Sequence, residues 1–147
     1  MDYTVRPVAA DEIDACAAAY AAAYSEALWA EALNPGQVNG YIRTFSGRDG
    51  FCAWRLSVDG EIAGVALGIV VPCVDAPFLR IEDFCVAPKW QRKGLGGAFL
   101  AALKQEGVRH DCDCMMLATM RDYPAHRFYE KNGFAPLKDS VLLYQNL

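Results

Sequence analysis

An α/β fold is predicted for this chain: one domain, 1–147, with a mixed sheet and helices on both of its faces. Three observations predict it. Segments of strand and helix character succeed one another in the order β-α-α-β-β-β-α-β-α-β, which is the order of a sheet covered by helices. Asp59-Gly60, set between two apolar runs, is the strongest short hairpin signal. A glycine-rich turn follows one strand and opens directly into a helix. With 147 residues, 54% apolar and 22% charged, the chain is long enough to fill a single core and too apolar to stay disordered.

The elements follow in order. Tyr3 to Val8 alternates, carries β-branched residues and meets a proline, so it reads as a short first strand. Asp11 serves as the expected N-cap of an Ala/Ile/Tyr-rich helix that runs to about Trp29. Asn34-Pro35-Gly36 breaks it, and Gln37 to Phe45 forms a second helix. Phe51 to Val58 and Glu61 to Val71 are the two strands of the Asp59-Gly60 hairpin; Gly64 and Gly68 weaken the second and point to close packing there. Phe78 to Val86 is a strand stopped by Ala87-Pro88. A helix then runs from about Leu95 to Gly107, with Gly107 marking its end. Cys112 to Thr119 is a strand of buried character. Asp122 and Pro124 start a helix over Ala125 to Lys131, which Asn132-Gly133 ends, and Val141 to Tyr144 is the final strand. No repeat, linker or low-complexity tract divides the chain.

Composition narrows the partners. A net charge of −4 argues against broad nucleic-acid binding and suits a cationic substrate such as an amine, although a charge of this size is also that of an ordinary soluble surface. Met1-Asp2-Tyr3-Thr4 lacks the basic start of a secretory signal, and the alanine-rich stretch Ala15 to Ala23 is too short to span a bilayer. The expectation is a cytoplasmic protein without a membrane partner. The six cysteines (Cys16, Cys52, Cys73, Cys85, Cys112, Cys114) then read as reduced, buried thiols. His110, Cys112 and Cys114 would share one strand face, but there is no C-x-x-C pair and no obvious fourth ligand, so no metal is expected.

The chemistry concentrates after Phe78 to Val86. Gly94, Gly96 and Gly97 lie in the first turn of the following helix, where the absence of Cβ atoms lets backbone N–H groups approach an anion. The helix start adds unpaired donors, and Lys89, Arg92 and Lys93 supply countercharge, so the turn suits a pyrophosphate. It is neither a Walker loop, since Gly97 and Ala98 follow Gly96 where Lys-Ser/Thr would be needed, nor the three-glycine dinucleotide fingerprint.

What it does fit is Q/R-x-x-G-x-G/A, read as Gln91-x-x-Gly94-x-Gly96. A second block, Ala125-His126-Arg127-Phe128-Tyr129-Glu130-Lys131-Asn132-Gly133-Phe134, follows a helix and a strand later. In these two blocks the chain resembles the GCN5-related N-acetyltransferase (GNAT) superfamily, specifically from Leu79 to Phe134. The resemblance implies a mostly antiparallel central sheet, with a bulge that splays two strands into a V-shaped gap for acetyl-CoA between Phe78–Val86 and Cys112–Thr119. It implies backbone contacts from Phe84, Cys85 and Val86 to the pantetheine arm. The pyrophosphate would be held by Gln91, Arg92, Lys93, Gly94, Leu95, Gly96 and Gly97.

The resemblance also assigns roles. Tyr129 occupies the position of the general acid. Glu82 is the expected base, acting through water, because Ile81-Glu82-Asp83-Phe84 looks like the matching strand of spermidine/spermine acetyltransferases. Strand alternation would put Glu82 on a face with Phe84 and Val86, and Asp83 on the other with Cys85. The residues leave open whether Glu82, Asp83 or neither is the base, or whether Glu82 simply pairs with Arg80 or caps a loop. Asp122 stands where the family often has a cofactor-contacting Asn. It can accept but not donate, and it would cap the helix. The acceptor side would draw on Tyr24, Glu26, Trp29, Glu31 and Tyr41. The implied activity is transfer of an acetyl group from acetyl-CoA to a primary amine of a small molecule or peptide. The alternative is a non-catalytic acyl-CoA-binding module, with a nucleotide binder third. Dimers are common among proteins of this type, so a homodimer is an open expectation.

Overall fold

The Asp59-Gly60 hairpin organises the sheet. A computed structural model describes residues 1–25 and 33–147. In it β1 (Tyr3–Pro7), β2 (Phe51–Val58), β3 (Glu61–Val71), β4 (Phe78–Val86) and β5 (Cys114–Met116) form one sheet in the order β1-β2-β3-β4-β5. The first four pair antiparallel and β5 joins β4 in parallel, so the sheet is mixed and mostly antiparallel. Both central turn residues take positive φ, 49° at Asp59 and 85° at Gly60, the conformation that matches the twist of the flanking strands.

Helices cover both faces. α1 (Ile13–Tyr24) and α2 (Pro35–Ser46) pack over one, where Cys16, Ala17, Tyr20, Val38 and Ile42 bury against Val65, Leu67 and Cys85. α3 (Leu95–Arg109) covers the other. A Cβ on Gly64 would stand 3.3 Å from the Phe99 ring and 2.7 Å from the Cys85 carbonyl oxygen, and one on Gly68 would meet Leu79 and Trp54. The glycines of β3 are therefore the floor on which α3 and the aromatic side chains sit.

Several boundaries differ from expectation, each for a local reason. Asp11 does not cap α1: it lies in a 3-10 turn, Ala10–Glu12, and Glu12 accepts the Ala9 N–H at 2.9 Å. Asn34-Pro35-Gly36 does not only break a helix but begins α2, with the Asn34 side chain accepting from the Gly36 N–H at 2.7 Å and Pro35 in the first turn. Gly107 does not end α3. It is buried inside the helix facing Leu79, and the chain turns at Asp111, where φ is 58°. β5 is three residues long rather than eight. His110 ends α3 and Cys112 precedes β5, so the expected shared strand face for His110, Cys112 and Cys114 does not form. The predicted end of the first helix near Trp29 lies outside the described residues.

The contacts divide the chain into two compact units, 1–117 and 118–147. The second holds α4 (Pro124–Lys131), closed by Gly133 at φ 93°. The expected final strand, Val141 to Tyr144, is absent: its residues are exposed and have no ladder partner among the described strands. Among the described residues no helix is long and apolar enough to cross a membrane. All six cysteines are free, but only Cys16 and Cys85 are buried; Cys73 and Cys114 are exposed. Burial pushes the Cys16 thiol up to about 11 and the Cys85 thiol to about 12, which keeps both protonated and unreactive at neutral pH.

Candidate active site

β4 carries one residue more than its partner. Leu67 pairs with Asp83 and Gly68 with Ile81, leaving Glu82 as the extra residue of a β-bulge. The bulge shifts the alternation. Before it, Leu79 faces α3; after it, Phe84 takes the α3 face, its ring 5.1 Å from Phe99, while Cys85 joins the α1/α2 core. Glu82 therefore does not share a face with Phe84 as expected. It stays with Arg80, which donates Nε–H to Glu82 Oε1. Asp83 follows on the same face, held by α1 and α2.

The hold on Asp83 is specific. Tyr20 Oη donates to Oδ1 at 2.6 Å and Tyr41 Oη donates to Oδ2 at 2.5 Å. Burial raises the Asp83 carboxyl above the usual range, outweighing the two hydroxyls that lower it, and the charge on Glu82 adds to the rise. Burial and the bond to Asp83 likewise raise both phenols. Tyr20 was not foreseen as a site residue. Its only signal was the i, i+4 spacing with Tyr24, whose ring lies 4.6 Å away. Of the expected acceptor residues, Tyr24 and Tyr41 are on this face, whereas Glu26, Trp29 and Glu31 lie outside the described residues.

Past the bulge, one edge of β4 has no strand partner among the described residues. β5 pairs only with Phe78, Leu79 and Arg80. The Cys85 carbonyl faces β3, so by alternation those of Phe84 and Val86 face the open edge. Side chains occupy both: Tyr24 Oη donates to Phe84 O at 3.3 Å, and Gln91 Nε2 donates to Val86 O at 2.8 Å.

The turn continues from that edge. Pro88–Trp90 forms a 3-10 turn, Gln91 is extended, Arg92 takes φ 57° and Gly94 φ 79° as the N-cap of α3. Ala98 N donates to Gly94 O at 3.2 Å as the first bond of the helix. The amides of Leu95, Gly96 and Gly97 thus precede the ladder and can serve an anion. The Nζ atoms of Lys89 and Lys93 each stand 4.9 Å from the centre of the Trp90 ring, and Lys89 also pairs with Glu61.

Tyr129 and Asp122 belong to the second unit. The Tyr129 ring lies 5.3 Å from that of Phe128 and 5.5 Å from that of Phe134. Asp122 is not the helix cap: that position is Tyr123, and Asp122 takes φ 66° with its N–H directed to His126 Nδ1 at 3.4 Å.

Comparison with known proteins agrees with this architecture. The model of the Acetyltransferase (GNAT) family matches residues 13–134. No curated protein matches in sequence. Among solved structures, a GNAT family acetyltransferase of Staphylococcus aureus subsp. aureus USA300_TCH1516 superposes with a TM-score of 0.78 at 15% identity, covering 100% of both chains. AAC(6')-Iy, in complex with the bisubstrate analog CoA-S-monomethyl-acetylneamine, gives 0.80 at 14%, covering 100% of this chain and 99% of the other. An aminoglycoside acetyltransferase, meta-AAC0020 from an uncultured soil metagenomic sample, gives 0.76 at 16%, covering 99% and 96%. These likenesses concern the fold.

Proposed function

Because the chain belongs to the acetyltransferase (GNAT) family, we propose that it transfers an acetyl group from acetyl-CoA to a primary amine of a small molecule or peptide. The observation that carries this reading is the open edge of β4 past Arg80, running straight into the glycine turn at the start of α3. The family uses acetyl-CoA, and the residues present suit it. The β4 edge offers the backbone groups of Phe84 and Val86 to the amides of a pantetheine arm, whereas the expected contact from Cys85 is not available there because its carbonyl is turned to β3. Gln91 through Gly97 offer donors and a positive helix end to a pyrophosphate. Asp122 can only accept. The solved aminoglycoside acetyltransferases make a multiply charged amine a reasonable acceptor class.

In this reading acetyl-CoA supplies an activated thioester, and the protein contributes proximity and proton management. The acceptor arrives as an ammonium and must lose a proton before its nitrogen lone pair can form the new C–N bond. Glu82 takes that proton through water, helped by its place on the bulge. The C–S bond breaks as the C–N bond forms; Tyr129 gives a proton to the departing sulfur, and the second proton of the attacking nitrogen, lost as the amide forms, replaces it on Tyr129 through water. Holding the two reactants together can be worth about 7–11 kcal/mol in well-oriented systems. The protein acts as a single acetyltransferase domain in the cytoplasm, without metal, nucleic acid or membrane.

Thermal unfolding tests the reading. Acetyl-CoA or CoA at a hundred times its dissociation constant should stabilise the protein by about 2.7 kcal/mol, whereas ATP and NAD should not. Gly96→Glu should abolish the shift by filling the anion site. No shift with acetyl-CoA, or a larger one with ATP, would remove both the cofactor and the enzyme. A shift without thiol release on any amine would leave an acyl-CoA-binding module.

A further inference from the structure

Asp83 lacks what a half-buried carboxylate ordinarily has. Its two oxygens accept from Tyr20 and Tyr41, but among the described residues no Lys, Arg or His lies within ion-pair distance of it. Its neighbour differs. Glu82 is neutralised by Arg80. Arg48, whose charge is felt at Tyr41, lies over the Phe45 ring, 5.4 Å from its centre. A carboxylate withdrawn from water and left without a cation is costly to keep ionised. Two phenol donors reduce that cost without cancelling the charge, and each carboxylate oxygen keeps a second lone pair. The surroundings suit a cation: the Tyr20 and Tyr24 rings lie 4.6 Å apart, and Tyr41, which is 41% exposed, leaves a way in.

We infer that Asp83 is a specificity-determining residue of the acceptor side, and that it binds a second ammonium of the acceptor, one that does not react. The inference rests on the proposed transfer to amines and narrows it. The reacting nitrogen must give up its proton, so a group that stabilises a lasting positive charge works against the chemistry at that nitrogen. A non-reacting nitrogen has no such conflict. Glu82 and Asp83, adjacent on one face because of the bulge, then divide the work. Glu82 lies by the nitrogen that loses its proton, and Asp83 anchors the one that keeps it. Tyr20 and Tyr41 fix the Asp83 carboxylate in place, so its rotation is not frozen anew on binding. The preferred acceptors are amines with two or more cationic centres.

The test uses the full chain saturated with CoA and a matched pair of probes, 1,4-diaminobutane and n-butylamine, with binding read by calorimetry. Wild type should bind the diamine at least about tenfold more tightly, the scale of one well-placed charge pair. Asp83→Asn should remove that preference while leaving butylamine affinity and the acetyl-CoA thermal shift unchanged. Equal affinity of wild type for the two probes, no binding of either, or a preference that survives in Asp83→Asn overturns the inference. Should Asp83→Asn fail to fold, Tyr41→Phe answers instead: releasing one carboxylate oxygen from its fixed orientation should reduce the diamine preference without changing butylamine affinity, and an undiminished preference would overturn the inference. A protein with no acetyl-CoA shift at all fails at the earlier reading, which keeps the two failures apart.

Discussion

Glu12 secures the entry to α1 from several directions at once. Its carboxylate accepts from the Ala9 N–H at 2.9 Å, from both terminal nitrogens of Arg6, and pairs with Arg55 Nη1 at 3.1 Å. The Arg6 bond first, and then the Ala9 bond, bring its carboxyl down from 4.5 to about 2. A carboxyl with a lowered folded pKa stabilises the fold above its unfolded value and ceases to do so as pH falls through the folded one. The gap in melting temperature between wild type and Glu12→Gln should therefore be full at about pH 6, shrink below 4.5, and close near 2. A gap that holds constant across that window would show that the carboxylate charge is not what Glu12 contributes. Asp83 carries the opposite sign, since burial raises it. At this scale the sequence was informative about residue types and poor about partners. The carboxylates of β4 stood out as misplaced in an apolar strand, but the tyrosines that bind Asp83 lie 63 and 42 residues away. No local pattern reports such a meeting.

β4 shows what an element-level reading reaches. Its limits, and those of β2 and β3, were legible because proline, Asp-Gly and apolar runs are local signals that tertiary contacts did not override. The bulge was implied only by family resemblance, because whether a strand carries an extra residue is decided by its pairing with β3. The same limit explains Gly107, where a helix-ending residue serves instead as the small contact that admits Leu79. It also explains Val141 to Tyr144, whose strand propensity finds no ladder. The bulge makes a sharp prediction. Removing Glu82 leaves Leu79 and Ile81 on the α3 face and Asp83 and Cys85 on the other, so a Glu82 deletion should fold with its core contacts intact. It should nevertheless lose the acetyl-CoA shift, because a regular β4 no longer turns its edge away from β5. A deletion variant that binds acetyl-CoA as wild type does, or one that does not fold, would show that the bulge is not the device that opens the edge.

At the scale of the whole chain, the family match runs from residue 13 to residue 134 and so spans both compact units. Of the two sequence blocks that announced it, the first was legible because its turn constrains backbone conformation, and few residues besides glycine tolerate φ 79° at position 94. The proposed acceptor side carries no such constraint, because an amine would be recognised by charges and rings that many sequences can supply. The open edge of β4 has a second meaning for the protein as an object in solution. An unpaired edge is a template for any extended chain, including another copy of this one. In the free protein Tyr24 and Gln91 cover its outward carbonyls with side-chain donors. Tyr24→Phe combined with Gln91→Ala should therefore aggregate faster than wild type when warmed below its melting point, as read by light scattering, and added CoA should suppress the difference. An equal rate for both would leave the edge harmless. In the proposed reading the edge that receives the cofactor is also the surface most in need of cover, and saturation with CoA is a form of colloidal protection.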